Sequence, residues 1–398
     1  MSRLKILYLG INAKMINPTN SGILPCLKHF SDVTTFGPGY VDTATLSLGI
    51  ERFVDRHGGF DLVVSDRPSW KLGRGTEAHI SRYGVLAGNL KSLEDCFRDV
   101  ERFLKTSRSK HILFLTYLDV YALGQDQFDD LVESGAWLVS WAAGFSRSLE
   151  DLDEDVLKSE VFYRRKVGKR PIGLWHDLIE AYGERFISLS HFVGEWEFDW
   201  SPLGNRKYLV SVPGQQYARR KIVTSALKVH HSDMPLQFHK RIFSALDNLG
   251  LKPFSNKYGM LLYSELFRSS IAQSRSAYTE GSGYDRPIRK FFEIPALGTV
   301  LLASPCAGFE KLGFKDRVNA ISVSPGDVTE IVKWLDGNPD IAQEIATAGR
   351  ELIWESHSLH ARAFQFQECF SRIFDDTFAG SQWTDGVFGV LERPNISS

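Results

Sequence analysis

The sequence predicts an α/β protein built as two doubly wound parallel sheets that face a central cleft. Three observations predict it. A chain of 398 residues is too long for one ordinary hydrophobic core, which points to two domains. In the first half, short apolar runs alternate with segments long enough for crossover helices, the rhythm of a parallel sheet covered on both faces. The second half repeats that scheme beyond a turn-rich stretch at 199–207, which contains Pro202, Gly204 and Asn205. No sequence repeat links the halves, so the second sheet rests on rhythm alone.

In order along the chain, strands are expected at 5–9, 33–36, 61–65, 112–116, 137–141 and 186–190. Residues 195–200 alternate acids with aromatics. As a strand they would place Trp196, Phe198 and Trp200 on one face and the acids on the other. In the second half a strand is expected at 208–212, an amphipathic helix at 233–249 closed by Gly250, and a short helix at 261–268. A strand at 271–274, a core strand at 299–303, and helices at 327–336 and 339–356 complete it.

Hydrophobic content of 43% and charged content of 24% are those of a soluble globular protein. A formal net charge of −1 gives no reason to expect nucleic acid as a partner. The four cysteines, Cys26, Cys96, Cys306 and Cys369, have no metal or redox spacing and read as free thiols of a reducing compartment. The apolar run at 6–9 is too short for a signal-peptide core, and the longest, near 136–145, falls short of a membrane span. A cytoplasmic protein is expected.

Residues 284–304 are the most informative stretch. Asp285 is an N-cap candidate with Pro287 in the first turn. Ile288, Phe291, Phe292 and Pro295 have the spacing of a buried stripe. Arg286, Arg289, Lys290 and Glu293 repeat that spacing on the opposite face, which is either solvated or turned to a ligand. Pro295 has no N–H for the carbonyl of Phe291 and ends the helix, and Gly298 caps it before a continuous apolar strand. Gly281, Ser282 and Gly283 form the kind of loop that lets backbone N–H groups approach an anion.

This stretch resembles the donor-binding region of retaining glycosyltransferases of the GT-B fold, in which two Rossmann-like domains face a cleft. That family carries an acidic pair, Glu-x7-Glu, ahead of Ala-x-Gly and a buried strand. The second acid falls on Glu293, and the first, eight positions before it, on Asp285, an Asp in place of Glu. The resemblance implies that Glu293 grips the ribose hydroxyls of a nucleotide and that Asp285 reaches the sugar, since a carboxylate accepts two hydrogen bonds from a vicinal diol. It is strongest over 208–373 and is similar to bacterial group-1-like transferases, spore-maturation proteins among them. Supporting pieces are residues 263–270, Gly313 to Asp316 with Asn319, and a closing helix with His360 and Arg362.

The resemblance further implies a glycine against the donor diphosphate, matched by Gly214, and a cation just beyond it, matched by Arg220 or Lys221. Related transferases carry Arg where this chain has Gln216. Tyr217, Gly283, Tyr284, Arg289 and Lys290 complete the implied donor-binding set. Gly10 joins it from the end of the first strand, where open α/β sheets bind ligands. With no G-x-G-x-x-G, a dinucleotide oxidoreductase lacks its fingerprint. Asp66, Asp119 and His191 follow first-domain strands, and His191, which donates or accepts near neutral pH, stands with Asp285 and Arg220 as a catalytic candidate.

Asp151 and Asp153 imitate the metal-binding pair of another transferase fold, but their helical spacing reads as a solvated face and no metal is expected. His230, His231, Asp233 and His239 also resemble a metal cluster, though Asp233 is explained as a helix cap. Trp196, Phe198 and Trp200 form either an interdomain strand or a sugar-stacking wall. Arg164, Arg165, Lys166, Lys169 and Arg170 form either a solvated loop or a dock for anionic lipid or a lipid-diphosphate acceptor at the inner membrane face.

The expected organisation is an acceptor-side domain at 1–205, a nucleotide-sugar domain at 206–373 and a tail at 374–398 returning to the first. The expected activity is a retaining, metal-independent glycosyltransferase (hexosyltransferase-like, in polysaccharide biosynthesis) without a prosthetic group. Its donor would be a UDP-, GDP- or dTDP-sugar. A sugar-nucleotide epimerase on the same fold and a non-catalytic nucleotide-sugar-binding protein are the alternatives.

Overall fold

The computed structural model describes residues 3–12, 22–65, 90–115, 125–141, 145, 171–214, 218–230, 257–281 and 286–393, with short pieces at 234–235, 242–243, 245–246 and 248–251. Over the first half the order is β1 (Leu4–Leu9), α1 (Ile23–Phe30), β2 (Ser31–Phe36), α2 (Thr43–Leu48), α3 (Ile50–His57), β3 (Leu62–Ser65), α4 (Leu90–Thr106), β4 (Lys110–Phe114), α5 (Gln125–Glu133), β5 (Trp137–Ser140), α6 (Pro171–Tyr182) and β6 (Phe186–Ser188). All six expected strands are present, within two residues at each end. They form one parallel sheet in the order β2-β1-β3-β4-β5-β6.

The apolar runs are continuous because successive side chains enter different cores. Ile6 and Tyr8 of β1 join one cluster, while Leu7 and Leu9 join the cluster on the other face. Ile112 and Phe114 of β4 are likewise separated from Leu113 and Leu115.

The second half runs β7 (Tyr208–Ser211), α7 (Ala218–His230), α8 (Lys257–Ala272), β8 (Ser274–Thr279), α9 (Lys290–Ala296), β9 (Val300–Ala303), β10 (Ile321–Ser322), α10 (Val328–Gly337), α11 (Pro339–His357), α12 (Leu359–Phe374), β11 (Phe378–Thr384) and β12 (Val387–Glu392). Its parallel sheet has the order β10-β9-β8-β7. Val300 and Leu302 enter one core, and Leu301 and Ala303 the other.

Four sequence expectations are corrected here. Of the strand expected at 271–274, Ile271 and Ala272 end α8 and only Ser274 belongs to a strand, the first residue of β8. Its small hydroxyl residues break the apolar pattern but are buried and satisfied: Ser276 Oγ donates to the Leu209 carbonyl at 2.9 Å and Ser274 Oγ to that of Ser270 at 2.8 Å. The helix expected from Asp285 begins at Lys290, with Arg289 as N-cap, and ends at Ala296 after Pro295. Gly298 beyond it has φ +61, as a C-terminal glycine requires. Residues 195–200 are not a strand. Glu195–Glu197 is a 3₁₀ turn, closed because the Glu197 carboxylate accepts the Gly194 N–H at 2.7 Å. The helix expected at 261–268 extends over all of α8. Of the helix expected at 233–249, the described residues 242–243, 245–246 and 248 are helical, whereas 234–235 at its expected start are not.

Two chain segments cross between the sheets, and they pair with each other. The Val193 N–H donates to the His357 carbonyl at 3.0 Å, and the Leu359 N–H donates to the Val193 carbonyl at 2.8 Å. Beyond this bridge α12 packs on the first sheet, where Ala363, Phe366, Phe370 and Ile373 join the core of Ile6, Tyr8, Ile112 and Phe114. The antiparallel hairpin β11–β12, which the sequence rhythm did not announce, lies against β6. There the Ser188 N–H donates to Ser381 Oγ at 2.8 Å, and Trp383 Nε1 donates to the Ser188 carbonyl at 2.7 Å. Among the described residues no helix is long and apolar enough to cross a membrane.

Candidate functional site

The carboxyl ends of β7 and β8, with the first turn of α9, bring together residues far apart in sequence. Gly214 follows β7 with φ +88, a left-handed conformation that a side chain disfavours. It also has no room for one. A Cβ there would lie 2.4 Å from Lys290 Cε, 2.9 Å from Lys290 Nζ and 3.8 Å from an Arg220 Nη1. A bare stretch of backbone is thus held beside an ammonium and a guanidinium.

Arg220 leaves the first turn of α7 and is 1% exposed. Its Nη2 donates to Thr279 Oγ1 at 3.1 Å and to the Glu280 carbonyl at 3.4 Å, and its Nε lies 3.7 Å from Glu280 Oε1. Glu280, 6% exposed at the end of β8, is therefore the buried counter-charge of this cation. Sequence reasoning missed it because the strand preceding it was placed too early. Beside Arg220, the Tyr278 hydroxyl shares a hydrogen bond with Ser304 Oγ at 3.0 Å, and burial raises its pKa.

Across α9, Arg289 bridges two acids. It donates through Nη1 to Glu293, one turn along the helix, and through Nη2 to both carboxylate oxygens of Glu197, at 2.6 and 2.5 Å. Burial alone would lower the pKa of Arg289, but the charges of Glu293 and Glu197 outweigh it and raise the pKa. Phe291 and Phe292 are fully buried, which fixes α9 and the direction of its polar face. Arg286, expected on that face, is instead 1% exposed.

His191, just after β6 on the first crossing, reaches this neighbourhood from the other side, with its ring 6.2 Å from that of Phe292. Burial, followed by the positive charges of Arg289, Arg362 and Lys290, pushes its pKa down to about 3, so its imidazole is neutral at working pH. Its carbonyl accepts from Arg362 Nη2 at 3.3 Å. Gly10 donates its N–H to the Phe36 carbonyl at 3.1 Å and packs against Gly37, where a Cβ would come within 2.0 Å of the Gly10 oxygen. The structure therefore joins Gly214, Arg220 and Lys290, pairs Arg289 with Glu293, sets His191 beside them, and leaves Gly10 with the turn that follows β2.

Asp285, Tyr217, Gly283 and Tyr284 lie outside the described residues. So do Ser282, Gln216, Asp66, Asp119, Asp151, Asp153, His231, Asp233, His239 and the basic run Arg164, Arg165, Lys166, Lys169 and Arg170. Gly281 closes tightly on the far side of its loop, since a Cβ there would lie 3.0 Å from Cys306 Cβ and 3.2 Å from the Arg286 nitrogen. Among the described residues no group of three or more His, Cys, Asp or Glu is placed to hold a metal.

A family described as glycosyl transferase-like matches residues 260–368, a span that includes β8, α9 and β9 and falls short of half the chain. No curated protein matches the chain in sequence. In fold the chain is similar to a glycosyltransferase from Rickettsia africae ESF-5, at 12% identity over 95% of this chain and 100% of that one, with a TM-score of 0.51. It is also similar to sucrose-phosphate synthase from Thermosynechococcus elongatus, at 11% identity over 94% of this chain and 100% of that one, with a TM-score of 0.50. At these identities the likeness is one of fold, and with the two parallel sheets it makes the architecture GT-B.

Proposed function

We propose that this chain is a glycosyltransferase that moves a sugar from a nucleotide-sugar donor to a hydroxyl acceptor. One observation carries the reading: Gly214, Arg220 and Lys290 converge at the carboxyl ends of β7 and β8. A backbone that excludes any side chain, flanked by two cations, suits a diphosphate, which needs close approach and charge neutralisation. The family match over 260–368 supports it, since that span contains both Lys290 and Glu293.

In this reading the second sheet holds the donor. Glu293 accepts from the ribose hydroxyls, and Lys290, Arg220 and the Gly214 backbone face the diphosphate. Asp285 and a neutral His191 stand at the sugar. Tyr217, Gly283, Tyr284 and, from the end of β1, Gly10 complete the donor pocket. The C1–O bond to the diphosphate breaks, and the acceptor oxygen bonds to C1 on the same face. The acceptor's proton passes to a phosphate oxygen, and a nucleoside diphosphate leaves. Cations preorganised around the leaving group contribute about 3 kcal/mol each to lowering such a barrier. The transfer is retaining and metal-independent, with residues 1–205 on the acceptor side, 206–373 on the donor side and 374–398 returning across. The sugar is a hexose carried on UDP, GDP or dTDP, and the acceptor is a glycan or a lipid-linked sugar, with Arg164 to Arg170 docking at the membrane.

A thermal-shift panel of UDP, GDP and dTDP tests the reading. A ligand at 100 times its Kd adds about 2.7 kcal/mol of stability. One of the three is expected to raise Tm, and Glu293→Ala to abolish most of that rise. A melt indifferent to all three overturns the proposal. Release of nucleoside diphosphate only when an acceptor is added separates transfer from epimerisation, and full activity in EDTA supports metal independence.

A further inference from the structure

The two acids that share Arg289 come from different parts of the fold. Glu293 lies on α9 inside the donor sheet, whereas Glu197 lies on the crossing that leaves β6 for the second domain. The Glu197 carboxylate also holds that crossing closed, because its Oε2 accepts the Gly194 N–H at 2.7 Å. Gly194 follows Val193, whose N–H and carbonyl make the backbone bridge to His357 and Leu359 on the return crossing. One unbroken path therefore runs from the paired crossings through Gly194, Glu197 and Arg289 to Glu293.

Each link is partly buried: the side chains of Arg289, Glu197 and Glu293 are 13%, 21% and 17% exposed. Charge-assisted bonds at such exposure keep much of their strength, and a guanidinium held on both edges fixes the rotamers of its partners. Arg289 uses Nη1 for Glu293 and Nη2 for Glu197, while its Nε has no partner among the described residues. If Glu197 is withdrawn, Arg289 loses the anchor that sets its plane, and Glu293 loses the cation that sets its carboxylate. Glu197 and Glu293 are each bonded to Arg289 and reach one another through it.

We infer that Glu197 is a positioning residue for the donor site. Acting through Arg289, it presents the Glu293 carboxylate to the nucleotide ribose and ties donor occupancy to the paired crossings. This rests on the nucleotide-sugar reading of the site. It extends that reading to a residue of the interdomain crossing with no contact of its own to the donor. Donor binding at Glu293 then pulls on Arg289 and Glu197, and through Gly194 on the strand that joins the two sheets. The coupling is reciprocal, so a change at the crossing alters donor affinity by the factor with which the donor alters the crossing.

The experiment is a double-mutant cycle read by two methods on the full chain. Glu197→Gln keeps one acceptor oxygen for Gly194 but removes the charge that anchors Arg289. It is expected to weaken binding of the nucleoside diphosphate that stabilises the wild type by about tenfold, with the acceptor KM unchanged. In a Glu293→Gln background the same substitution is expected to change that affinity less than twofold, because the carboxylate it positions is gone. Equal losses in both backgrounds would show that Glu197 acts on the fold alone and would overturn the inference. The second method needs no ligand. Amide exchange in Glu197→Gln is expected to rise at 290–293 as well as at 194–198, and a rise confined to 194–198 also overturns it. Should the wild type bind no nucleoside diphosphate, the donor reading falls with this role for Glu197, while the exchange measurement still decides whether the crossing and α9 are linked.

Discussion

Two guanidinium groups lie near His191, and the fold holds them in opposite ways. Arg362, from the first turn of α12, is fully buried and has no carboxylate partner among the described residues. Its Nη2 donates to Ser190 Oγ at 2.9 Å and to the His191 carbonyl, its Nη1 to Gln365, and its carbon stands 5.9 and 5.5 Å from the Phe192 and Trp383 rings. Burial drives its pKa down to about 9. Arg289 is gripped by two acids that raise its pKa. A cation held only by neutral groups inside a core is a fixture, because nothing from solvent reaches it. A cation shared by two partly exposed acids can exchange partners when a ligand arrives. The first arrangement belongs to the paired crossings, and the second, in the proposed reading, faces the donor.

The contrast breaks most visibly at Arg362. Arg362→Ala empties a large buried volume and strips Ser190 and the His191 carbonyl of a donor, with an expected loss of about 3 kcal/mol by urea denaturation. Arg362→Met keeps the volume and removes the desolvated charge but strips the same acceptors, so it should cost about 1–2 kcal/mol, less than Arg362→Ala. Arg289→Ala leaves two acids facing one another near solvent and should cost about 1–2 kcal/mol. A larger loss at Arg289 than at Arg362 would reverse the assignment of fixture and responsive cation.

A second effect follows from His357. It lies at the heart of the fixed cluster, with Nδ1 3.1 Å from Ser190 Oγ and Nε2 2.9 Å from the Leu312 carbonyl. Nε2 must donate to that carbonyl, so Nδ1 accepts from Ser190, whose oxygen in turn accepts from Arg362. Burial, then Arg362, pushes the His357 pKa down to about 3, opposed by the bond to Leu312. The unfolded imidazole takes its proton near pH 6.5 and the folded one does not. The resulting stability is complete above pH 6.5 and is lost as pH falls toward 3. Between pH 7 and pH 5 this amounts to about 2 kcal/mol. Denaturation of wild type and His357→Gln at both pH values should show that much less acid sensitivity in the variant, since a neutral amide makes both bonds at either pH.

A third and smaller effect concerns the responsive side. Gly214→Ala puts a methyl group at φ +88 and against Lys290, with an expected cost of about 1–2 kcal/mol in stability. Nucleoside diphosphate affinity should fall further than stability, because Lys290 is displaced from the ligand. An unchanged affinity in Gly214→Ala would separate this glycine from the site.

Much of this fold was legible in the sequence, and the reasons for the rest are physical. Residues 6–9 of β1, 62–64 of β3, 112–114 of β4, 138–139 of β5 and the whole of β9 are buried on both faces, so their side chains are apolar without interruption, and a run of that kind is visible in one dimension. β8 is buried just as deeply, but Ser274 and Ser276 satisfy their hydroxyls on nearby carbonyls, and the polar letters hid the strand and Glu280 beyond it. On α9 the residues Phe291, Phe292 and Glu293 were readable from spacing. The partner of Arg289 was not, because Glu197 arrives from a turn that caps itself, and its alternation with aromatics imitated a strand. Gly214 and Lys290 are 76 residues apart in sequence, and only the fold puts one against the other.

The smallest expected signal tests whether the pivot moves at all. A hinge is expected from the sequence near Gly204 and in the return crossing after His357, and of these the Gly204 turn is tied to the second domain. The Leu203 N–H donates to Gln343 Oε1 at 2.9 Å, and the buried Arg206 donates to the carbonyls of Ser274 and Leu297 and to Thr299 Oγ1. The paired crossings at Val193 and Ser358, joined by two backbone bonds and by the Ser190–His357 and Arg362 side-chain bonds, are where closure would be expected to turn. Trp196 is a natural reporter: it is 64% exposed, and its ring covers Gly194, one residue from that bridge. Saturating donor and acceptor together should shift its emission and reduce the scattering radius, as domain closure does. Gly204→Ala should leave the shift intact, because a Cβ there meets nothing within 4 Å. Val193→Pro removes the N–H donated to His357 and should diminish the shift. If emission and radius both stay constant with the two substrates bound, the cleft is preformed, and Glu197 positions the donor without any movement of the domains.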